Sequence, residues 1–124
     1  MAAGLTQLGW PARMGWLAAR MATAVLVVPV AEELAFRGYL ARRVMAREFD
    51  GVALGGLSWV GVAVSSAVFG VLHGRLWAAG IAAGVVFALL AKRRNSLGDA
   101  MVAHGVANLM LGVWVLATGN YGLW

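Results

Sequence analysis

The 124-residue chain contains no cysteine, two prolines, five acidic residues and only 12% charged residues. Without cysteine, disulfides, thiolate nucleophiles and sulfur-ligated zinc are excluded. A soluble domain is about 45–50% apolar and about a quarter charged. Here the apolar share is 62% and the mean hydropathy +0.81, which places the chain in a membrane. Its length accommodates one compact unit, residues 1–124, and no second domain. The net charge of +5 does not form the stripe of a nucleic-acid binder, so no nucleic-acid partner is expected. Six of the ten basic residues fall in two clusters, Arg42, Arg43, Arg47 and Lys92, Arg93, Arg94, each closing a hydrophobic run. Cytoplasmic anchors of membrane proteins are distributed in this way.

The pattern predicts an all-α, polytopic transmembrane bundle of about four membrane helices. After a short lead-in, a first helical pattern runs from about Met14 through Glu32, Arg37 and Arg42 to about Arg47. Pro29 cannot donate to the carbonyl of Val25, so a kink or local unwinding is expected just ahead of the glutamates. Residues 48–56, with three glycines, read as a loop. A second run covers about Leu57 to Leu72 and ends at a Gly74-Arg75 turn. A third covers about Leu76 to Ala91, and its Gly80-x-x-x-Gly84 spacing permits close helix approach. Ser96-x-x-Asp99 is a capping box for a fourth helix, Leu97 to about Thr118. The aromatic end, Asn120 to Trp124, suits an interfacial anchor. Short loops make the helices alternate in direction, so the two basic loops share one side, the cytoplasmic one, with Met1 and Trp124 opposite. Val28-Pro29-Val30-Ala31 imitates a signal-peptide cleavage site. The region before it is too long and apolar for that, and the residues after it stay helical.

Three polar clusters interrupt these runs: Glu32-Glu33-x-x-x-Arg37, Phe69-x-x-x-His73 and His104-x-x-x-Asn108. Ionisable groups within a membrane are costly and persist mainly where they face one another and function. Positions i and i+4 share a helix face. Glu33 and Arg37 can therefore form a structural ion pair, while Glu32, about 100° around the helix, points into the bundle. A carboxylate beside a neutral histidine can hold and deprotonate a water. Each cluster alone has a plain explanation: a solvated helix face, a histidine bonded to a carbonyl, or interhelical glue. Their conjunction on three apolar segments points to one shared site. Depth constrains that site. Glu32 lies about 15 Å along its helix from Arg42 and His104 about 15 Å from Arg94, but His73 lies about 28 Å from Lys92. A common depth requires tilted or broken helices, or a short second helix after a longer loop.

The order of these clusters resembles the CPBP family: CAAX prenyl proteases of the Rce1 type and bacteriocin-processing or self-immunity (Abi) proteins. The resemblance covers about residues 25–118. The stretch from Phe36-Arg37-Gly38-Tyr39-Leu40 through Leu97-Gly98-Asp99-Ala100 to the closing aromatics is also similar to the exosortase-associated, CAAX protease-related branch. The resemblance implies an intramembrane glutamate protease of the bacterial inner membrane, acting on a peptide or protein substrate that can be lipidated. It makes Glu32 the general base, with His73 orienting the water. His104 and Asn108 then stabilise the oxyanion, and Glu33, Arg37 and Phe69 support the site. Family members usually carry further membrane helices ahead of the Glu-Glu segment, so the resemblance leaves open a fragment from the C-terminal portion of such an architecture, a truncated reading frame or a minimal version of it.

Two alternatives stay open. No cofactor is expected, but Glu32, His73 and His104 also supply three ligands sufficient for a catalytic zinc. A non-catalytic immunity or accessory protein would keep the same residues for packing and partner recognition. No His-Glu-x-x-His zinc motif or serine elbow is present. Asp99 is accounted for by its capping box.

Overall fold

The four hydrophobic runs become four helices in the computed structural model, which describes residues 2–5 and 7–123. Helix α1 spans Trp10–Arg43, α2 Trp59–Val71, α3 Trp77–Arg94 and α4 Leu97–Thr118. Short helical turns lie at Ala2–Leu5, Phe49–Gly51, Leu54–Gly56, Gly74–Leu76 and Tyr121–Leu123. No strand occurs among the described residues. Three stretches, Trp10–Arg43, Gly74–Arg94 and Leu97–Thr118, are long and apolar enough to cross a membrane; α2 is apolar but shorter. Large apolar side chains point outward along the helices. Trp59, Leu72, Val102, Met110 and Trp114 are all at least 60% exposed. Such patches are a liability in water and cost nothing against lipid tails. The protein is an all-α, polytopic integral membrane protein.

Helix boundaries differ from the sequence expectation at both ends of α1. The helix starts at Trp10 rather than about Met14, with Pro11 in its first turn, where a missing N–H costs no hydrogen bond. It stops at Arg43 instead of continuing to Arg47. The fourth helix has the expected limits, and Ser96 Oγ accepts the Asp99 N–H at 3.3 Å. Asn95 adopts a left-handed conformation at φ 50° to end α3. Met1 and Trp124, assigned by charge bias to the outer side, lie outside the described residues.

The chain divides into two compact units, Val30–Ala103 and the pair Met1–Pro29 with His104–Trp124. Within Val30–Ala103, one core gathers Phe36, Phe69, Phe87, Ala91 and Ala100. A second gathers Ala41, Leu57, Val62 and Ala88. Helices α2 and α3 pack through glycine. A Cβ at Gly80 would stand 2.9 Å from Gly70 Cα, and one at Gly84 3.1 Å from Ser66 Cα. Only glycine allows backbones this close, so the Gly80-x-x-x-Gly84 spacing sets the interface.

The loop between α1 and α2 is held from both sides. Arg42 donates to the carbonyls of Val52 (2.7 Å), Gly38 (3.1 Å) and Asp50 (2.8 Å). From the end of α3, Lys92 donates to the Leu57 carbonyl. Asn95 Oδ1 accepts the Gly55 N–H at 2.8 Å. The loops after α1 and α3 thus touch and share one side. Ser58 then caps α2 by accepting the Gly61 N–H at 3.0 Å.

In the terminal unit, α1 widens around Pro29. Residues Thr23–Val27 form a π-helical segment, in which the Val28 N–H reaches back to the Thr23 carbonyl. The Ala24 carbonyl thereby loses its α-helical donor, Val28, and its π-helical donor would be Pro29, which has no N–H. Asn108 of α4 supplies the bond, Nδ2 to Ala24 O at 2.8 Å. Gly105 clears the way, since a Cβ there would lie 2.8 Å from the Val25 carbonyl oxygen. The disruption expected at Pro29 thus takes the form of a π segment repaired by an asparagine. A second π segment, Leu34–Leu40, comes after the glutamates. Short π segments inside α-helices are frequent at functional sites.

Candidate functional site

Five of the seven expected residues belong to the Val30–Ala103 unit: Glu32, Glu33, Arg37, Phe69 and His73. Glu33 and Arg37 are fully buried. One turn apart, they join through Arg37 Nη1 and Glu33 Oε1 at 3.0 Å. Arg37 Nη2 also donates to the Gly84 carbonyl at 2.7 Å, tying α1 to α3. The guanidinium lies in an aromatic cage, its Cζ 4.7 Å from the Phe69 ring centre and 5.8 Å from those of Phe36 and Phe87. Phe69 meets Phe36 edge-on at 5.2 Å and Phe87 at 6.4 Å. Buried charge this deep persists only when paired and hydrogen-bonded, and here it is both.

Phe69 also packs against the histidine. The His73 and Phe69 ring centres are 4.5 Å apart. His73 Nδ1 lies 2.7 Å from the Phe69 carbonyl oxygen. A carbonyl can only accept, so Nδ1 bears the hydrogen. In a neutral imidazole Nε2 is then the acceptor, the form needed to orient a water. His73 lies at the break between α2 and α3, just before Gly74, whose φ of +58° makes the turn. Its Cβ and Cγ lie 3.1 Å from where a Cβ at Gly80 would be, so α3 forms the back wall of this ring.

The register of α1 on α2 sets Glu32 and His73 at a similar height. A Cβ at Gly61 would stand 2.6 Å from the Ala41 carbonyl oxygen, and Phe36 meets Phe69, so the two segments run antiparallel. From Ala41 back to Glu32 is about 14 Å, and from Gly61 forward to His73 about 18 Å. Glu32 and His73 are therefore level to within about one helical turn. The short α2 after a long tethered loop removes the depth mismatch of a full-length second helix. Glu32 is half-buried and His73 exposed.

The remaining two residues belong to the terminal unit. His104 is buried, at 3% exposure, and Asn108 is one turn further along α4. Asn108 gives one amide hydrogen to Ala24 and keeps a second for another acceptor. It also lines a cavity of about 140 Å³ with Arg20, Ala24, Val28, Leu111 and Leu123.

Sequence reasoning misses several of these partners. The flanking rings of Phe36 and Phe87 look like ordinary core residues in isolation. Only the adjacency of Phe36 to Arg37, and the place of Phe87 one turn after Gly84, hints at a cage. Arg20 is visible as a charge in an apolar run, but no spacing assigns it a task.

No curated protein and no solved structure matches the chain. A family model does, described as type II CAAX prenyl endopeptidase Rce1-like, and it covers residues 14–110. That range takes in all three polar clusters, from the helix that carries Glu32 to the one that carries Asn108. The chain belongs to the Rce1-like family of type II CAAX prenyl endopeptidases.

Proposed function

We propose that the chain is an intramembrane endopeptidase whose hydrolytic water is activated by Glu32 and His73, without a metal. The Glu32 carboxylate takes a proton from the water, while His73 Nε2 accepts its other hydrogen in a hydrogen bond. The hydroxide attacks the scissile carbonyl carbon. Donors on His104 and Asn108 meet the oxyanion, and Glu32 returns the proton to the departing amine. Glu33 and Arg37 hold the helix that carries Glu32, and Phe69 holds His73 in its tautomer. The substrate is a peptide segment of a membrane-associated, lipidated or unlipidated protein. The basic loops face the cytoplasm of a bacterial inner membrane.

The observation that carries this reading is the antiparallel register of α1 and α2, fixed by the Ala41–Gly61 and Phe36–Phe69 contacts. It brings the one half-buried carboxylate of the polar cluster level with an imidazole whose Nε2 accepts. The test is Glu32→Gln, which keeps shape and removes basicity. Cleavage should fall by at least ~10²-fold, the usual scale of general base catalysis, with unchanged folding. Full cleavage in this variant would remove Glu32 from the role of base, and cellular function retained in it without cleavage by either form would return the chain to the binding-protein reading. A zinc enzyme built on Glu32, His73 and His104 is the second chemistry to test. A hydrogen bond from Nδ1 to a carbonyl also suits a metal-ligating histidine. Stoichiometric zinc in the purified protein, together with loss of activity to a chelator, would replace the metal-free mechanism.

A further inference from the structure

The basic residues that close α1 and α3 divide into two groups by what they touch, and all of them belong to the Val30–Ala103 unit. Arg42 is engaged with three carbonyls, Lys92 with the Leu57 carbonyl and Arg94 with the Asp99 carboxylate at 2.9 Å. Arg43, Arg47 and Arg93 make no hydrogen bond or ion pair with any described residue. Arg47 and Arg93 are exposed and Arg43 is half-buried. Carbonyls are neutral, so the charges of Arg42 and Lys92 stay uncompensated as well. Glu48 and Asp50 are the only other carboxylates in the loops at this end, too few to balance it.

The cations stand among apolar side chains that water does not suit. Val44 and Met45 follow Arg43, Trp59 and Val60 open α2, and all four are exposed. The Lys92 ammonium lies 5.0 Å from the centre of the Trp59 ring. Tryptophan collects at the level of lipid headgroups, with its ring toward the chains and its N–H toward polar groups. The Trp59–Lys92 contact therefore marks the depth at which this end of the unit leaves the hydrocarbon. A soluble acidic partner would cover the charges and leave the apolar groups without a match. A phospholipid suits both, with its chains on the apolar groups and its phosphate on a guanidinium.

We propose that Arg43, Arg47 and Arg93 bind the phosphates of anionic phospholipids in the leaflet that these helix ends reach, so that the protein gathers such lipids around itself from a mixed bilayer. A guanidinium fork engages phosphate oxygens at two points. Basic clusters just beyond membrane helices attract acidic lipid, an effect that fades within a Debye length of the surface. A zwitterionic headgroup carries the same phosphate, but its own cation competes for it, so the preference is for net negative charge. This inference is independent of the reaction at Glu32.

The test uses the full chain in nanodiscs of equimolar phosphatidylglycerol and phosphatidylcholine with identical acyl chains. Native mass spectrometry of the released protein counts the lipids that stay with it. Phosphatidylglycerol should be enriched at least about threefold, and the enrichment should vanish when Arg43→Gln, Arg47→Gln and Arg93→Gln are combined. The three side chains hold nothing in the protein, so the unfolding midpoint of that variant should stay native. Should it unfold instead, Arg93→Gln alone, a single change at an exposed helix end, keeps the test decisive. Its matched control is Arg75→Gln, which removes another exposed charge from the opposite end of the Gly74–Arg94 span. Only the Arg93 change should lower the enrichment. Equal loss from both would reduce the effect to net charge and overturn the site. No enrichment by the native chain, or native enrichment in the triple variant, overturns it too and leaves a soluble acidic partner as the occupant to seek.

Discussion

Replacing Arg37 with methionine should be the most damaging single change in the Val30–Ala103 unit that leaves the reacting groups untouched. The substitution keeps an unbranched side chain of similar length and removes the charge. It takes from the Glu33 carboxylate, which is fully buried, the cation at 3.0 Å. Breaking a buried pair in this way costs ~3–5 kcal/mol. The bond to the Gly84 carbonyl at 2.7 Å and the contact with the Phe69 ring at 4.7 Å are lost as well. Charged hydrogen bonds contribute ~1.5–3 kcal/mol and desolvated cation–π contacts about 2. These terms overlap and do not add, so the expected loss is ~4–5 kcal/mol, on the order of a thousandfold or a few thousandfold in the folding equilibrium. Removing both charges, Glu33→Leu with Arg37→Met, should recover most of it and come within ~2 kcal/mol of the native protein. Reversible unfolding in mixed micelles, monitored by circular dichroism, measures all four corners of the cycle. If Arg37→Met costs less than ~1 kcal/mol, or the double variant is no better than the single one, the pair does not hold this unit together.

Three other sets of contacts carry expectations of their own. Gly80→Ala puts a methyl 2.9 Å from Gly70 Cα and 3.1 Å from His73, which should cost ~1–3 kcal/mol of stability and lower turnover more than binding. Native kcat in that variant would mean that His73 is not held by α3. Asn108→Ala leaves the Ala24 carbonyl without its donor and should destabilise by ~1–2 kcal/mol. Restoring a helical donor with Pro29→Ala in the same chain should recover part of that loss, and unfolding midpoints decide it. Arg42→Met removes two bonds to the loop that precedes α2 and one to Gly38 of its own helix. Limited proteolysis between Val44 and Leu57 should then speed up severalfold, and an unchanged rate would show that the loop is held from α3 alone.

The fold was largely legible because membrane helices announce themselves by composition. The four runs, the Ser96 cap, the Gly74 turn and the glycine spacing in α3 all lie close to where their residues put them. The family was legible from three short clusters in order. Less readable were features decided by contacts distant in sequence. The run from Leu57 to Leu72 gives no sign that its helix starts two residues late. Helix α2 starts where it does because Lys92 holds the Leu57 carbonyl and Ser58 caps Gly61. Pro29 foretold a disruption but not its form, since the π segment depends on an amide 84 residues away. For the site, the i,i+4 spacing indicates that Glu33 can reach Arg37. Nothing in it indicates that Gly84 would offer a carbonyl or that three phenylalanines would surround the cation.

The brevity of α2 carries a consequence for the surrounding lipid. Thirteen residues rise only about 20 Å, against an acyl interior of about 30 Å. One end is pinned to the basic face through Lys92, so the deficit of roughly 10 Å falls at the His73 end. There the leaflet must dimple inward or water must descend to meet the ring. On the proposed chemistry a hydrolase buried among fatty tails has to import its second reactant, and the truncated helix is where such a well would open.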